Sequence, residues 1–536
     1  MTAPDGMRGL SAYTRVLWRR LRLQVLAWCF PLWLLVAVTP PAYEHVYPSM
    51  RTRELLVSSM REMPGTRLLY GVLPLPGRIG QLVQWETGTY LLLCAGLMAV
   101  LLTCRAMRAD EDDGLVELQL AVGIGRWAPL VAPVVVSWGA IAMLALGVGV
   151  ILTGLTQLVT ELTVPGAWTP AGSVANAGWA FIALSALICQ LCRQAVHARG
   201  LTLVGLSGAF ALRVLADESG TGWMRWFSPL AWRDLVYPYT NDDPVPLAVC
   251  AAICVALVAI AGALYTRREY GTGYLPDRST SARRWHVRGY TDLLARLAVH
   301  GSAIWAATVA ATSALFGAMA GGIAELLVPG SATGSYVGKM AEGSPVEQYL
   351  SLLTIVTVLL VVVAAAQRVN TLVLRERTGL IDLKSAVGIS RTRLFVTQGG
   401  MVLVEATGLL MLSGGVLAAA TGSQLTEDHA VARAFVFTVS QLPGLLAAIG
   451  IALAVVGVAP RRFGIVWAVI AWSVFARFFG GLLELPRWAR NLSMMGHHLD
   501  VVGDPDWVPL AVQAAVGVAG TAVGLVAYRR RDLSSA

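Results

Sequence analysis

The sequence predicts an all-α polytopic membrane protein with twelve transmembrane helices arranged as two similar halves. The first observation is composition: 56% of the 536 residues are hydrophobic, 14% are charged, and the mean hydropathy is +0.64. So little polar surface cannot cover so much apolar volume in water, which excludes a soluble globular fold. A disordered chain is excluded for the same reason. The other two observations are a series of long apolar stretches and an internal repeat.

Twelve stretches approach the about 20 mostly apolar residues that a bilayer core requires of a helix. The ten-residue alternating pattern typical of a β-barrel is absent, so we expect every span to be helical. The predicted spans cover residues 23–39, 87–104, 128–153, 173–192, 201–216, 246–265, 300–323, 347–367, 398–421, 434–458, 464–482 and 508–528. Residues 8–22 place leucine and tyrosine side chains at helical spacing between arginines. That pattern predicts an amphipathic helix in the membrane interface ahead of the first span.

The charges predict the orientation of these spans. The chain carries a net charge of +9. Segments on the side of the N-terminus contain 28 Lys and Arg against 12 Asp and Glu, and segments on the other side contain 11 against 19. The positive-inside rule therefore places both termini in the cytoplasm. Topology and anionic membrane lipids account for the basic excess, so we expect no nucleic-acid partner.

An internal repeat divides the chain. The loop 110–126 (loop A) recurs as the loop 375–391 (loop B) at a constant offset of 265, with Glu, Gly, Leu, Leu, Ala, Val, Gly, Ile and Arg in register. Near the ends of the halves, 245–249 recurs as 508–512, and 265–269 is matched by 528–532, both at an offset of 263. Agreement at three separated places indicates two fused six-helix halves in the same orientation, a parallel pseudo-repeat.

The predicted organisation follows from this repeat. Residues 1–265 form the first transmembrane half with its interfacial helix, and 300–536 form the second half. A basic cytoplasmic linker, 266–299, joins them and ends in a second interfacial helix like that of 8–22. Paired bundles of this kind are expected to enclose a pathway for alternating access.

Loops A and B carry the candidate functional residues. Each places acids ahead of a terminal arginine, with apolar side chains at helical spacing between them. A short helix of that kind suits docking into a groove on a soluble partner, and the alternative is a solvated loop whose charges only set topology. The candidate residues are Glu111, Gly114, Glu117, Gly123 and Arg126 in loop A and Glu376, Gly379, Asp382, Gly388 and Arg391 in loop B.

These loops resemble those of actinobacterial twelve-span permeases of ATP-binding-cassette (ABC) exporters, of the tetronasin or polyketide-antibiotic transport type. The segments 210–217 and 226–232, and the Arg-Arg-Glu/Asp run that ends each half, extend the resemblance over most of the chain. The sequence departs from the family pattern at Asp382, where a glutamate is usual, and at Lys384, where an apolar residue is usual. The two loops are therefore expected to dock with unequal strength.

The resemblance implies a multidrug or antibiotic export permease in a bacterial plasma membrane. It implies that a homodimer of separate nucleotide-binding ATPase subunits docks on the two coupling loops, and that amphipathic drugs or lipidic natural products are the cargo. ATP and Mg belong to that partner, because this chain has no Gly-x4-Gly-Lys-Ser/Thr phosphate loop. No catalytic or metal-binding constellation is predicted, and the Cys189-x-x-Cys192 pair reads as small buried side chains.

Charged and aromatic residues within the spans are a second set of candidates. Arg213 has either a local partner in Asp217 or a role in gating or in contact with an anionic substrate, and Arg477 is its repeat counterpart. Glu405 either binds a cation or a proton, or makes an interhelical hydrogen bond. Aromatic residues there line a drug pathway or face lipid. The candidate pathway residues are Phe210, Arg213, Asp217, Glu405, Trp472, Phe475 and Arg477.

Three functions remain open from the sequence. The first is the membrane permease of an ATP-driven exporter, which the paired loops and the resemblance favour. The second is a proton-coupled secondary multidrug transporter, favoured by Glu405 and by the missing phosphate loop. The third is a membrane scaffold whose loops regulate a soluble partner.

Overall fold

A computed structural model shows a helical chain that divides into two compact units, Met1–Arg283 and Arg284–Ala536. The division falls within the predicted linker. The structure describes residues 5–62, 70–275, 287–318, 320, 345–377, 388–424, 429–479, 486–495, 497, 499 and 507–531, and these residues contain no β-strand. Gly379 and Asp382 of loop B lie outside the described residues.

The first unit is built from long helices joined by short ones. Its helices are α1 (Leu10–Val46), α2 (Met50–Glu62), α3 (Ile79–Cys104), α4 (Leu115–Ala121), α5 (Ala128–Leu155), α6 (Val164–Leu191), α7 (Ala195–Ser219), α8 (Arg233–Val236) and α9 (Val245–Arg267). A π-helical turn, Arg105–Ala109, and a last turn, Asp110–Asp112, prolong α3. The core lies between α1, α3, α5 and α6.

The second unit has a similar order of helices. Its helices are α10 (Tyr290–Ala318), α11 (Pro345–Arg377), α12 (Arg391–Gly422), α13 (Ala430–Val439), α14 (Leu442–Val458), α15 (Gly464–Phe479), α16 (Arg487–Asn491) and α17 (Trp507–Arg530). Its main core is formed by buried side chains of α11, α12 and α14.

Eleven helices among the described residues are long and apolar enough to cross a membrane, with α13 and α14 counted as one span. The chain is therefore a polytopic helical membrane protein, as predicted. The predicted span 464–482 overlaps α15, of which 16 residues are described, and residues 480–482 lie outside the described residues. The count of twelve spans and the cytoplasmic placement of the termini stay predictions.

The predicted interfacial helix is not a separate element. Residues 10–46 form one continuous helix, α1, so the segment 8–22 runs without a break into the first span. Tyr13, Leu17 and Leu21 are buried against the rest of the unit, with exposed fractions of 5%, 1% and 0%. Their stripe belongs to the protein core because neighbouring helices cover it, and an i,i+4 apolar stripe does not reveal whether lipid or protein will do so. The segment after 290 is likewise continuous with α10.

Glycines allow α14 and α17 to pack backbone against backbone. A Cβ on Gly450 would overlap the carbonyl oxygen of Gly517, and a Cβ on Gly457 would overlap that of Gly524. The seven-residue spacing within each helix keeps both contacts on one face. Small residues at membrane helix interfaces permit this close approach and the van der Waals attraction that follows from it.

We expect Gly450→Ala to lower the stability of the second unit by about 1–3 kcal/mol, the usual cost of overpacking, because the new methyl group has to push α17 away. Thermal unfolding of the purified protein in detergent measures this. Gly408→Ala is the matched control, since a Cβ at this helical glycine meets nothing within 4 Å. Equal destabilisation by both substitutions would contradict the packing account.

Candidate functional site

Loop A begins where α3 changes its winding. The π-helical turn Arg105–Ala109 continues α3 with wider winding, and Gly114 then adopts a left-handed conformation with φ of 71° directly before α4. π-Helical turns inside α-helices occur frequently at functional sites. Gly123 follows α4 with φ of 84°, and Gly388 in loop B has φ of 85°. A Cβ on either would meet nothing within 4 Å, so backbone conformation rather than space requires glycine at this repeated position.

Glu111 is buried in an ion-pair cluster. One of its oxygens accepts from Arg108 (2.8 Å) and from Arg268 (2.7 Å), and the other accepts from the backbone N–H of Gly271 (2.8 Å). Arg268 directly follows α9, the last long helix of the first unit. Glu111 therefore fastens loop A to the end of α9, and its role as a coupling residue stays a prediction.

Arg126 makes a second connection between the same two segments. Its guanidinium donates to the carbonyl of Thr266 (2.8 Å), and its own carbonyl accepts from the Tyr265 hydroxyl (2.9 Å). Both ends of loop A are thus attached to the last turn of α9 and the residues after it. We call the set Glu111, Arg126, Tyr265 and Arg268 clamp A.

Loop B is attached to the segment after α17 by the counterpart residues, through a related but not identical set of contacts within the second unit. Arg531, just past α17, pairs with Glu376 at 2.6 Å, and Arg391 donates to the carbonyl of Arg531 at 2.8 Å. Tyr528 is fully buried beneath the Arg531 guanidinium, which lies 5.4 Å from its ring centre. We call Glu376, Arg391, Tyr528 and Arg531 clamp B. Each residue of clamp B is the repeat counterpart of one in clamp A, at offsets of 265 and 263.

Loop A has further attachments whose residues loop B does not repeat. Arg108, fully buried, also donates to the carbonyls of Arg193 (2.8 Å) and Thr272 (2.9 Å). Asp110 pairs with Arg20 of α1 (2.6 Å), and Asp112 accepts from the N–H of Ala195 at the start of α7 (2.6 Å). The repeat positions of these three residues are Val373, Arg375 and Arg377. Arg375 instead donates to Gln398 of α12 at 3.1 Å.

The outward face of α4 is free of these attachments. Val116 points into the protein, whereas Glu117 is exposed, and Leu118 and Val122 have exposed fractions of 67% and 79%. Two large apolar side chains four residues apart and an acid beside them form a small amphipathic surface. Loop A therefore has two sets of residues: those that attach it to α9 and those that form an exposed surface.

Arg213 and Asp217 lie in a polar cluster at the other end of the first unit. Arg213 is buried above the ring of Phe210, 4.8 Å from its centre, and Asp217 pairs with Arg225 at 3.2 Å. Burial raises the pKa of the nearby Tyr70 phenol far above its ordinary value, and this phenol shares a hydrogen bond with the Tyr90 hydroxyl at 2.8 Å. The sequence identified the cluster but missed Arg225.

Glu405 forms an interhelical ion pair, one of the alternatives left open by the sequence. Arg368 of α11 donates to both carboxylate oxygens at 2.7 Å, and the Ser302 hydroxyl of α10 donates to one of them at 2.8 Å. Three helices, α10, α11 and α12, therefore meet at one polar site. A bidentate Arg–carboxylate pair is among the stronger hydrogen-bonded pairs in proteins.

The aromatic candidates of α15 pack partly on each other. The rings of Trp472 and Phe475 lie 5.9 Å apart, and both side chains are more than one third exposed. Arg477 is half-buried on the same helix. A role of these three residues in a transport pathway stays a prediction.

Sequence reasoning missed five arginines of these sites: Arg108, Arg225, Arg268, Arg368 and Arg531. Arg268 and Arg531 belong to the repeated Arg-Arg-Glu/Asp runs. Because these runs and the loops are both repeated, the sequence contains a signal that the two segments are in contact. Arg368 lies one residue beyond the predicted span 347–367, so the sequence assigns its charge to a loop. In the structure, α11 continues to Arg377 and includes Arg368.

Fold and site together define a multi-pass helical membrane protein with a duplicated, clamped surface loop. Among the described residues, no group of three His, Cys, Asp or Glu is arranged to hold a metal ion. The family described as "Multidrug efflux system permease Rv1217c, C-terminal domain" matches residues 10–266 and 288–529. The chain belongs to this family.

A relative supports the same assignment over the full length. The multidrug efflux system permease protein Rv1217c of Mycobacterium tuberculosis (strain ATCC 25618 / H37Rv) is 28% identical over 542 residues, which cover 99% of this chain and 96% of the relative. The chain is thus similar to a multidrug efflux permease from end to end. This similarity supports a permease role in drug efflux and a transport subunit rather than an enzyme.

Breaking clamp A should destabilise the first unit. We expect Glu111→Gln to cost about 3–5 kcal/mol, because two arginines, with side chains 1% and 3% exposed, lose their common counter-charge. Glu111→Gln combined with Arg268→Gln should cost less than the sum of the single changes, since Arg268 no longer loses a partner, although Arg108 still loses Glu111. Thermal unfolding in detergent measures all three variants.

Glu117→Gln, on the exposed face of the same loop, is the control for clamp A, and we expect it to change stability by less than about 0.5 kcal/mol. Strict additivity of the Glu111 and Arg268 changes would show that the two side chains do not act as a pair.

The Arg368–Glu405 pair gives a separate prediction. Arg368→Met and Glu405→Met should each destabilise the second unit by about 3–5 kcal/mol, because each leaves its former partner charged and half-buried between helices. The double substitution should recover most of the loss, since apolar side chains of similar volume replace both charges. A double variant no more stable than the worse single variant would overturn this account.

Proposed function

We propose that this chain is the transmembrane permease of an ABC exporter, driven by separate ATPase subunits that dock on loops A and B. The main support is that loop A has one set of residues that attaches it to α9 and another that forms an exposed surface. Leu118, Val122 and Glu117 offer a small apolar and acidic surface to a groove on a partner, while clamp A holds its base to α9. Docked amphipathic helices use this spacing of apolar anchors.

The duplication supports two docking sites rather than one. Clamp B repeats clamp A residue for residue, so two similar loops are available to the two subunits of an ATPase homodimer. In this proposal both loops face the cytoplasm, the side on which the basic segments concentrate. ATP and its Mg are bound by the ATPase dimer, and the permease supplies the membrane pathway by alternating access.

The proposed cargo is an amphipathic drug, antibiotic or lipidic natural product, exported through the bacterial plasma membrane. An apolar cavity of about 460 Å³ lies between α12, α14 and α17, within the size range of small-molecule sites. Its walls include Phe395, Leu403, Leu453 and Leu525, which favour apolar over charged cargo. The tetronasin or polyketide-antibiotic type is the finer proposal that the loop motifs support.

Proton-coupled transport is the weaker alternative, because Glu405 already has a bidentate partner in Arg368 and a hydrogen bond from Ser302. The two mechanisms differ in their response to an uncoupler. Efflux that persists when the proton gradient is abolished and ATP is held constant supports the ABC proposal. Efflux that collapses under those conditions supports a secondary transporter.

The docking surface of loop A can be tested directly. Leu118→Ser with Val122→Ser should abolish the drug-stimulated part of the ATPase activity of the complex that copurifies with the permease, and should lower drug resistance of cells. The reason is loss of the two apolar anchors that would enter the partner's groove. Thermal unfolding should be unchanged, since both side chains are exposed.

Val196→Ser is the matched control: it removes an equally exposed valine, 74% accessible, at the start of α7, outside loop A. We expect this variant to retain full stimulation. Normal ATPase stimulation in the Leu118 and Val122 double variant would refute docking on α4, and loss of stimulation in the control as well would show a general surface effect instead.

A further inference from the structure

A second polar site lies in the first unit, at the opposite end of α3 from loop A. Trp85 and Glu111 are separated by roughly 40 Å along the helix at 1.5 Å per residue, so the two sites lie near opposite faces of a membrane. The site is a cavity of about 350 Å³ lined by Val72, Pro74, Leu75, Gln84, Trp85, Asp217, Arg225, Arg233, Asp234, Tyr237, Pro238 and Thr240. Its lining includes two arginines and two aspartates, here called the charged wall, and apolar side chains, here called the apolar wall.

The arginines of the charged wall are held in fixed positions. Arg233 is buried and donates to the backbone carbonyls of Tyr70, Gln84 (3.3 Å) and Trp85 (3.5 Å), besides pairing with Asp234 at 3.3 Å. Arg225 pairs with Asp217 at 3.2 Å. A site held by such contacts needs little reorganisation to receive a ligand, which favours binding.

Two buried polar atoms of this wall have no hydrogen-bond partner among the described residues. They are Nε of Arg225, a donor, and Oδ2 of Asp234, an acceptor. The guanidinium of Arg225 and the carboxylate of Asp234 both line the cavity, so it offers donors and acceptors to a ligand with the opposite arrangement. Such a ligand carries an anionic group for Arg225 and a cationic donor for Asp234.

The surroundings place the cavity at the depth of lipid headgroups. Arg225 lies on a 3₁₀ turn, Gly222–Phe227, whose aromatic side chains face outward. Trp223 and Phe227 are 65% and 70% exposed, and Trp226 is 37% exposed. Exposed aromatic residues at the end of a membrane bundle are characteristic of the membrane–water interface.

We propose that this cavity binds the zwitterionic headgroup of an amphiphile, with its anionic group at Arg225 and its ammonium group at Asp234. The apolar wall, including Val72, Leu75 and Trp85, covers the first part of the chain attached to that headgroup. A membrane lipid and an amphipathic zwitterionic drug share this chemistry. The site does not depend on the proposed ATPase coupling and goes beyond it.

The test uses the full-length protein in a maltoside detergent and isothermal titration with three probes. The probes are dihexanoyl phosphatidylethanolamine, dihexanoyl phosphatidic acid, which lacks the ammonium group, and phosphoethanolamine, which lacks the chains. We expect the first to bind at least tenfold more tightly than either of the others. Asp234→Asn should remove its advantage over phosphatidic acid, and Arg225→Gln should weaken both lipids at least tenfold.

Two further variants keep the result interpretable. Val72→Trp leaves every charge in place and fills the cavity mouth at a residue that is 43% exposed, so it should abolish binding even if Arg225→Gln fails to fold. The pair Arg51→Gln and Glu54→Gln removes exposed charges of α2 that do not line the cavity, and binding should be unchanged.

Each remaining outcome overturns the proposal in a defined way. Equal binding of phosphatidylethanolamine and phosphatidic acid that is unaffected by Asp234→Asn would assign the cavity to a simple anion. Tight binding of phosphoethanolamine alone would show that no amphiphile is required. Heat from the lipids that persists in Val72→Trp would place binding elsewhere on the protein, and no binding of any probe would leave the cavity without the proposed ligand.

Discussion

The structure of each half depends on one buried ion pair, between the first glutamate of its repeated loop and the arginine that follows its last long helix. The pair joins Glu111 to Arg268 in the first unit and Glu376 to Arg531 in the second. These residues lie more than 150 positions apart in the chain, so the contact closes a long excursion through the bundle. A buried carboxylate or guanidinium is costly unless it is paired with the opposite charge. The position of this ion pair is therefore more strictly determined than that of an apolar contact.

The two halves use the same clamp but do not support it equally. Loop A is additionally tied to α1 and α7 through aspartates and to backbone carbonyls through Arg108. Loop B has arginine at two of the corresponding positions, and one of them, Arg375, turns instead to α12. The ion pair is common to both halves, whereas two aspartates beside it in loop A correspond to arginines in loop B and Arg108 corresponds to Val373. The same asymmetry appears in the membrane, where the Arg368–Glu405 pair of the second half has no counterpart in the first.

Sequence reasoning captured what depends on local composition and on repetition. Long apolar stretches predicted the helices, and register predicted which residues of the two loops correspond, as the Glu376–Arg531 pair among the described residues of loop B illustrates. It could not say that Glu111 is buried, because the acid and the Arg268 that neutralises it are joined only by the fold. Sequence reasoning also could not show that neighbouring helices cover the stripe of Tyr13, Leu17 and Leu21. Lipid and the protein interior are both apolar, so both favour the same side chains. Gly123 and Gly388 are recognisable in the sequence as repeated residues. The structure shows why glycine is required there, because both adopt a left-handed backbone conformation.

The clamp also determines what a force applied to loop A would move. Glu111 and Arg126 attach the two ends of the loop to the end of α9, while the exposed side chains of α4 lie between those attachments. A partner pushing on α4 would therefore displace the end of α9 together with the loop, because bending the loop alone would break a buried pair that costs about 3–5 kcal/mol to disrupt. Under the proposed function, the last helix of each half is the first membrane helix to be displaced by the conformational change of the ATPase. The tie from Asp112 to the start of α7 carries the same displacement into a second helix in the first half, so the halves would respond unequally to equal pushes.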